Sequence, residues 1–390
     1  MQIEPQIATI ADELTAWRRD IHAHPELGFE EERTSALVAA KLRQFGCEVT
    51  TGIGKTGVVG TIRVGNNPRS IGLRADMDAL PMDEANSFAH RSQHAGRMHA
   101  CGHDGHTTTL LGAAKYLAAT RNFDGTVHFI FQPAEEGRGG ALAMLEDGLF
   151  AKFPCDVVFG LHNRPRLEAG KFMIRSGPMM AGGGLFDIHI TGKGAHGARP
   201  ESGIDPVVIG GQIIGALQTV ISRTIAPLDS GVISITQMHA GDAYNVIPQT
   251  AVLRGTIRAF RKEVMATIKE RIERIARGFA ETLGGSATAD VRIVFPPLVN
   301  NPDEARWIGD VAAGIVGESN VNRDGAFVMA SEDFSYMLEK VPGAFILIGN
   351  GGGDGGCEVH NPGYDFNDSI LPLGATLWAR AVEARLPKQH

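Results

Sequence analysis

Five short apolar runs punctuate the 390 residues: VVGTIRV (58–64), SIGLRA (70–75), TVHFIF (126–131), CDVVFGL (155–161) and AFILIG (344–349). Segments of helical spacing alternate with them. Ile7, Ile10, Leu14, Trp17 and Ile21 fall on one helical face, TSALVAAKLRQFG closes on Gly46, and LLGAAKYLAA stands between two of the runs. Strands that alternate with helices must cross over to pair side by side. The chain is therefore expected to be α/β, with a largely parallel central sheet.

That rhythm breaks between residues 184 and 297. There the pattern reads strand (LFDIHIT), helix (DPVVIGGQIIGALQTVIS), strand (GVISITQM), strand (AVLRGTIRA), helix (EVMATIKERIERIARGFAETL) and strand (TADVRIVF), the β-α-β-β-α-β order of a ferredoxin-like α+β domain. Val264, Ile268, Ile272, Ile275 and Phe279 give the second helix a continuous apolar stripe for packing on the sheet. MMAGGG (179–184) and FPPLVNNP (295–302) flank the stretch as plausible hinges. With 390 residues too many for one core, two domains are expected: a discontinuous α/β domain over 1–183 and 298–390, and an inserted domain over 184–297.

Composition narrows the partners. Cys47, Cys101, Cys155 and Cys357 are too few and scattered for a disulfide framework, which predicts reduced thiols and a cytoplasmic setting. The N-terminal MQIEPQIATIADELTAWRRD has no signal-peptide core, and no apolar run reaches the roughly 20 residues of a membrane span. A net charge of −7 without a basic run argues against nucleic acid and anionic membranes, leaving a small-molecule substrate.

Residues 98–106, MHACGHDGH, place three histidines, a cysteine and an aspartate in nine positions, ahead of a helix expected to begin near Thr107. A polar loop that caps this helix needs no histidine, because Asp104 or Thr107 could do so alone. The other polar clusters share one location: Asp76-Met77-Asp78, Glu135-Glu136, His162 and the loop ending at His360 each follow an apolar run. Open α/β sheets bind ligands beyond the carboxyl ends of their strands, so these segments are expected to converge. Thiolate, imidazole and carboxylate are donors for zinc and its first-row neighbours, and the Cys-x-His spacing lets Cys101 and His103 point the same way from an extended loop. Adjacent glutamates diverge, which favours divided labour: one binds metal and the other faces the reacting water. Taken alone, a glutamate pair is a solvated surface and a single histidine is a satisfied loop or core residue; the position after an apolar strand sets these apart.

IGLRADMDALPMDE, MHACGHDGH, FQPAEEGRGGA, GLHNRP, GKGAHGARP, ASEDFSYML and VHNPGYDFND, in this order over nearly the whole chain, resemble the M20 metallopeptidase and aminoacylase family. The closest likeness is to its N-acyl-amino-acid amidohydrolases, hippurate hydrolases and auxin-conjugate hydrolases. The resemblance implies two divalent ions, zinc or manganese ahead of cobalt or nickel, held by Cys101, His103, Glu136, His162 and His360, with Glu135 as catalytic base. It also implies a role for His196 at the substrate carbonyl, Asn245 and Arg258 on the substrate carboxylate, and an inserted domain serving as lid and homodimer contact. Much of the wider family has His-x-Asp where this chain has Asp76-Met77-Asp78, which leaves open whether either aspartate touches metal. The implied activity is hydrolysis of N-acyl amino acids to a carboxylic acid and a free amino acid, with a dipeptidase or carboxypeptidase as the near alternative.

Other classes fit less well. GKGAHG (192–197) matches the glycine pattern of dinucleotide binding, but Pro200 and Pro206 preclude an immediate helix and no acidic residue ends a following strand. A cysteine hydrolase using Cys101 and a nearby histidine is a second class, separable because a thiol enzyme survives chelation. A noncatalytic metal-binding protein is a third, and it would leave Glu135 without a task.

Overall fold

The computed structural model describes residues 2–351 and 357–388. The chain divides into a larger unit, Met1–Gly177 with Val299–Ala326 and Asp333–His390, and a smaller one, Pro178–Leu298 with Phe327–Glu332. The smaller unit thus begins before the glycine-rich stretch and takes a second piece from beyond the proline-rich one, which local composition does not signal.

Along the chain run α1 (Ala11–Ala23), α2 (Glu32–Phe45), β1 (Glu48–Ile53), β2 (Gly57–Val64), β3 (Ser70–Asp76), α3 (His103–Thr120), β4 (Gly125–Gln132), α4 (Gly140–Glu146), β5 (Val157–Pro165) and β6 (Phe172–Met173). The smaller unit contributes β7 (Gly182–Thr191), α5 (Pro206–Thr219), β8 (Gly231–Ala240), β9 (Thr250–Ala259), α6 (Lys262–Thr282) and β10 (Ser286–Phe295). Then come α7 (Pro302–Val316), β11 (Val321–Asn322), β12 (Gly343–Gly351) and α8 (Leu371–Arg385).

In the larger unit one eight-stranded sheet has the order β1-β2-β4-β3-β5-β12-β6-β11. Its centre, β4-β3-β5-β12, is parallel, while β1/β2, β2/β4 and β12/β6 are antiparallel. Every residue of β3 and β4 is buried, which is why these strands read as nearly continuous apolar runs: helices cover both faces of a parallel sheet. Helix α3 is buried through His103–Ala114 and packs on α1, α2 and α8, so it lacks a polar face.

The smaller unit forms an antiparallel four-stranded sheet in the order β8-β9-β7-β10, with α5 and α6 packed against it around Ile188, Ile213, Leu253, Ile268 and Ile272. This is the ferredoxin-like arrangement. Asp205 caps α5 by accepting hydrogen bonds from the Val207 and Val208 amides, with Pro206 at the first helical position. Among the described residues no helix is long and apolar enough to cross a membrane.

Candidate metal centre

Parallel strands β3, β4, β5 and β12 bring their carboxyl ends to one edge of the large sheet, and the polar segments gather there. Asp76 ends β3, and Glu135 and Glu136 follow β4. His162 lies within β5, which continues to Pro165 rather than stopping at the histidine. His360 sits in the segment after β12, its amide donating to the Ala100 carbonyl at 2.7 Å.

The MHACGHDGH segment is not the extended loop its spacing suggested. Helix α3 begins at His103, not near Thr107, because Gly102 adopts a left-handed conformation (φ +93°) that turns the chain directly into the helix. A Cβ at Gly102 would run into the Asn163 side-chain amide, which donates to the Cys101 carbonyl at 2.8 Å. Cys101 therefore precedes the turn, while His103 and His106 share the first helical turn.

The cluster is tight. Cys101 Sγ lies 3.3 Å from His162 Nε2, and His360 Nε2 lies 3.2 Å from Glu136 Oε1. Ligand atoms of Cys101, His103 and His162 fall within 4.8 Å of one another, as do those of Cys101, Glu136 and His360, and those of His103, Glu135 and Glu136. Two triads that share one thiol describe two neighbouring positions for an ion.

Spare atoms test whether a cation suits these residues. His103 presents Nδ1 to Asp78 Oδ1 at 3.2 Å, while its buried Nε2 has no hydrogen-bond partner. Glu136 Oε1 is also buried without one, since His360 approaches at ion-pair distance but without hydrogen-bond alignment. Against burial, which lowers it, Asp76 and Asp78 raise the His103 pKa to about 10. Burial and the Glu136 and Glu135 carboxylates push the Cys101 thiol well above its ordinary value. Such a donor set carries more negative charge than the buried site can hold without cations, and a divalent ion would deprotonate the thiol and the imidazolium. The residues fit a metal.

Asp76 and Asp78 back the site through its histidines: Asp76 Oδ2 lies 3.7 Å from His103 Nε2, and Asp76, His103 and His106 have ligand atoms within 4.8 Å of one another. Asp78 holds His103 and accepts the Glu136 amide at 2.9 Å through its other oxygen. Asp76 receives Arg74 Nη1 at 2.8 Å and lies 2.7 Å from His106 Nδ1. His106 Nε2 accepts the Asn163 amide at 3.0 Å, so both its nitrogens are engaged within the protein. The third histidine of the motif, His99, stays apart beside His22, and burial pushes it down to about 4. None of these supporting roles was assigned from sequence; the two aspartates at the end of β3 carried the only local signal.

In the smaller unit, His196 and Asn245 sit side by side where residues 195–196 pair with 246–247, and both are exposed. The Gly197 amide donates to the Asn245 carbonyl at 2.7 Å. Arg258, half-buried on β9, donates from Nη1 to the Ile257 carbonyl at 2.8 Å.

The chain thus carries, in the larger unit, candidate metal donors with a second carboxylate beside them, the equipment of a metallohydrolase. It belongs to peptidase family M20/M25/M40, whose model matches residues 72–384. A hippurate hydrolase of Campylobacter jejuni is 43% identical over 97% of this chain and 98% of its own length. The IAA-amino acid hydrolase ILR1-like 2 of Arabidopsis thaliana is 42% identical over 95% of this chain and 84% of its own. Among solved structures, a dinuclear metal-binding peptidase of the M20 family from Bacillus subtilis superposes with a TM-score of 0.85 at 34% identity, covering 97% of this chain and 99% of that one.

Proposed function

We propose that the protein is a two-metal amidohydrolase that splits N-acyl amino acids into a carboxylic acid and a free amino acid. The observation that carries the reading is the pair of ligand triads sharing Cys101 with Glu135 beside them. The 43% identity to a hippurate hydrolase supports an acyl amino acid as the substrate class.

Cys101, His103, Glu136, His162 and His360 would hold the ions, which supply Lewis acidity: water acidified from 15.7 toward about 7 and a polarised amide carbonyl. Glu135 accepts the proton of the attacking water as the C–O bond forms, then returns it to the amide nitrogen, so that the C–N bond breaks with a neutral amine leaving. Asp78 and the Asn163 carbonyl, 2.6 Å from His162 Nδ1, engage one nitrogen of His103 and of His162, which would leave the other for an ion. In this reading His196 assists at the carbonyl, and Asn245 and Arg258 take the substrate carboxylate, for which the planar guanidinium fork is suited. The smaller unit is read as a lid and as the homodimer contact; for the contact, support comes from the edge position of β8 and the exposed Val232, Met238 and Tyr244. Zinc or manganese suits the mixed donors, with the thiol favouring zinc. A cysteine nucleophile is disfavoured, because burial and carboxylates raise the Cys101 thiol when a nucleophile needs it lowered.

The test is hydrolysis of benzoyl, acetyl and indole-acetyl amino acids and of a simple dipeptide, with and without chelator. Cleavage of acyl amino acids that chelation abolishes and metal restores is expected. Activity that survives chelation, or is confined to the dipeptide, overturns the reading.

A further inference from the structure

One buried charged cluster beside Glu135 has no task in the scheme above. Arg74 on β3, Gln132 at the end of β4 and Asp333 are 1%, 0% and 0% exposed. Arg74 donates from Nε to Gln132 Oε1 at 2.8 Å and pairs through Nη2 with Asp333 Oδ1 at 3.3 Å. Gln132 donates from Nε2 to the same Asp333 oxygen at 2.7 Å. The other oxygen, Oδ2, accepts the Ala141 amide of α4 at 2.9 Å. With both carboxylate oxygens engaged by three elements of the larger unit, Asp333 cannot turn, and its own backbone amide donates to Glu135 Oε1 at 3.3 Å.

A buried ion pair is a poor way to stabilise a fold, because desolvation offsets most of the Coulombic gain. Retaining one where an apolar side chain would pack calls for a geometric reason, and the catalytic carboxylate next to it supplies one. Arg74 also pairs with Asp76, so the same guanidinium braces the His106 side of the cluster.

We propose that Asp333 is a positioning residue for Glu135: the Arg74–Gln132–Asp333 cluster fixes the Asp333 amide, and that amide sets the rotation of the Glu135 carboxylate. The inference rests on the reading of Glu135 as the base. It gives Asp333 a part in catalysis that acts through its backbone amide.

Asp333→Asn keeps the shape but turns an NH2 group toward a donor, either the Ala141 amide or the Arg74–Gln132 pair. In the metal-loaded enzyme it is expected to lower kcat about 100-fold, the scale of a 1 Å misplacement, with KM and bound metal per chain unchanged. Because the effect passes through Glu135, the same substitution in a Glu135→Asp background should cost less than about threefold. A crystal structure of the Asn variant should show the Glu135 carboxylate rotated from its wild-type position. Wild-type kcat in Asp333→Asn, a full multiplicative loss in the Glu135→Asp background, or an unmoved Glu135 overturns the proposal. Should the Asn variant fail to fold, Gln132→Leu removes one anchor of Asp333 and must give the same split between kcat and KM. A wild-type enzyme inactive on every acyl amino acid refutes the substrate reading instead, and the Glu135 rotation still decides this one.

Discussion

Glu135 and Glu136 are chemically identical neighbours in different surroundings. Glu136 faces His103 and His360, whereas Glu135 is held by the Asp333 amide. Replacing Glu135 with Gln should leave metal content, measured by elemental analysis, near that of the wild type while kcat falls by about 10³-fold or more. Glu31 acts at the turn just before the pair. Its Oε1 accepts the Ala134 amide at 2.8 Å, at a residue held left-handed (φ +53°), and its Oε2 accepts the Thr56 hydroxyl. Burial raises the Glu31 carboxyl from 4.5 to about 7. The unfolded chain loses this proton near 4.5 and the folded one near 7, so the stability it contributes is complete below the lower value and lost as pH rises through the upper. Glu31→Gln removes that titration. Urea unfolding at pH 4.5 and 7.5 should show the variant gaining on the wild type by on the order of 3 kcal/mol as pH rises. Identical pH slopes would remove the buried carboxyl from this role. The thiol and imidazole groups of the candidate site were legible in the sequence because three histidines and a cysteine crowd into residues 98–106 and because single histidines follow two apolar runs. Glu31 and Asp333 were not, since an acidic residue acquires this meaning only from partners about a hundred or two hundred positions away.

Periodicity disclosed the elements better than their boundaries. The five apolar runs all became strands of the large sheet, and the inserted β-α-β-β-α-β order formed its own antiparallel sheet. Helix α3 defeated the pattern at its start, because the signal there is a left-handed glycine and not a polar cap. That glycine is also the element's vulnerable point. Gly102→Ala adds left-handed strain of roughly 1–2 kcal/mol to a collision with the Asn163 amide. The expected result is a melting temperature several degrees lower and weaker metal binding by calorimetry, since the displaced Asn163 adjoins His162. An alanine variant that binds metal with wild-type affinity would show that the turn is not needed to set Cys101 and His103. Upstream, α1 fastens the same helix: His22 Nδ1 lies 2.8 Å from Asp104 Oδ2, and Arg18 lies 3.6 Å from the same oxygen. Against burial, Asp104 holds the His22 pKa up to about 9. The second residue of α3 is thereby tied down without a conventional cap.

At the scale of the whole molecule, the proposed donor groups are drawn from sites between Cys101 and His360, so metal occupancy is expected to be linked to folding. An ion that binds only the folded chain at about 1,000 times its Kd contributes about 4 kcal/mol. Thorough chelation should therefore lower the melting temperature by about 10 °C, and resupplying zinc or manganese should restore it. A melting curve indifferent to chelator would mean that these side chains bind no ion strongly. The larger sheet also has a history written into its strand order. Its parallel centre places β12 directly against β5, yet the ribosome makes the whole of the smaller unit between those two strands. A nascent chain can complete the smaller unit's sheet while β5 still offers an unpaired, apolar margin to any passing strand. Newly made protein is thus most prone to aggregate in the interval before β12 emerges, and a pause in translation there would lengthen the exposure.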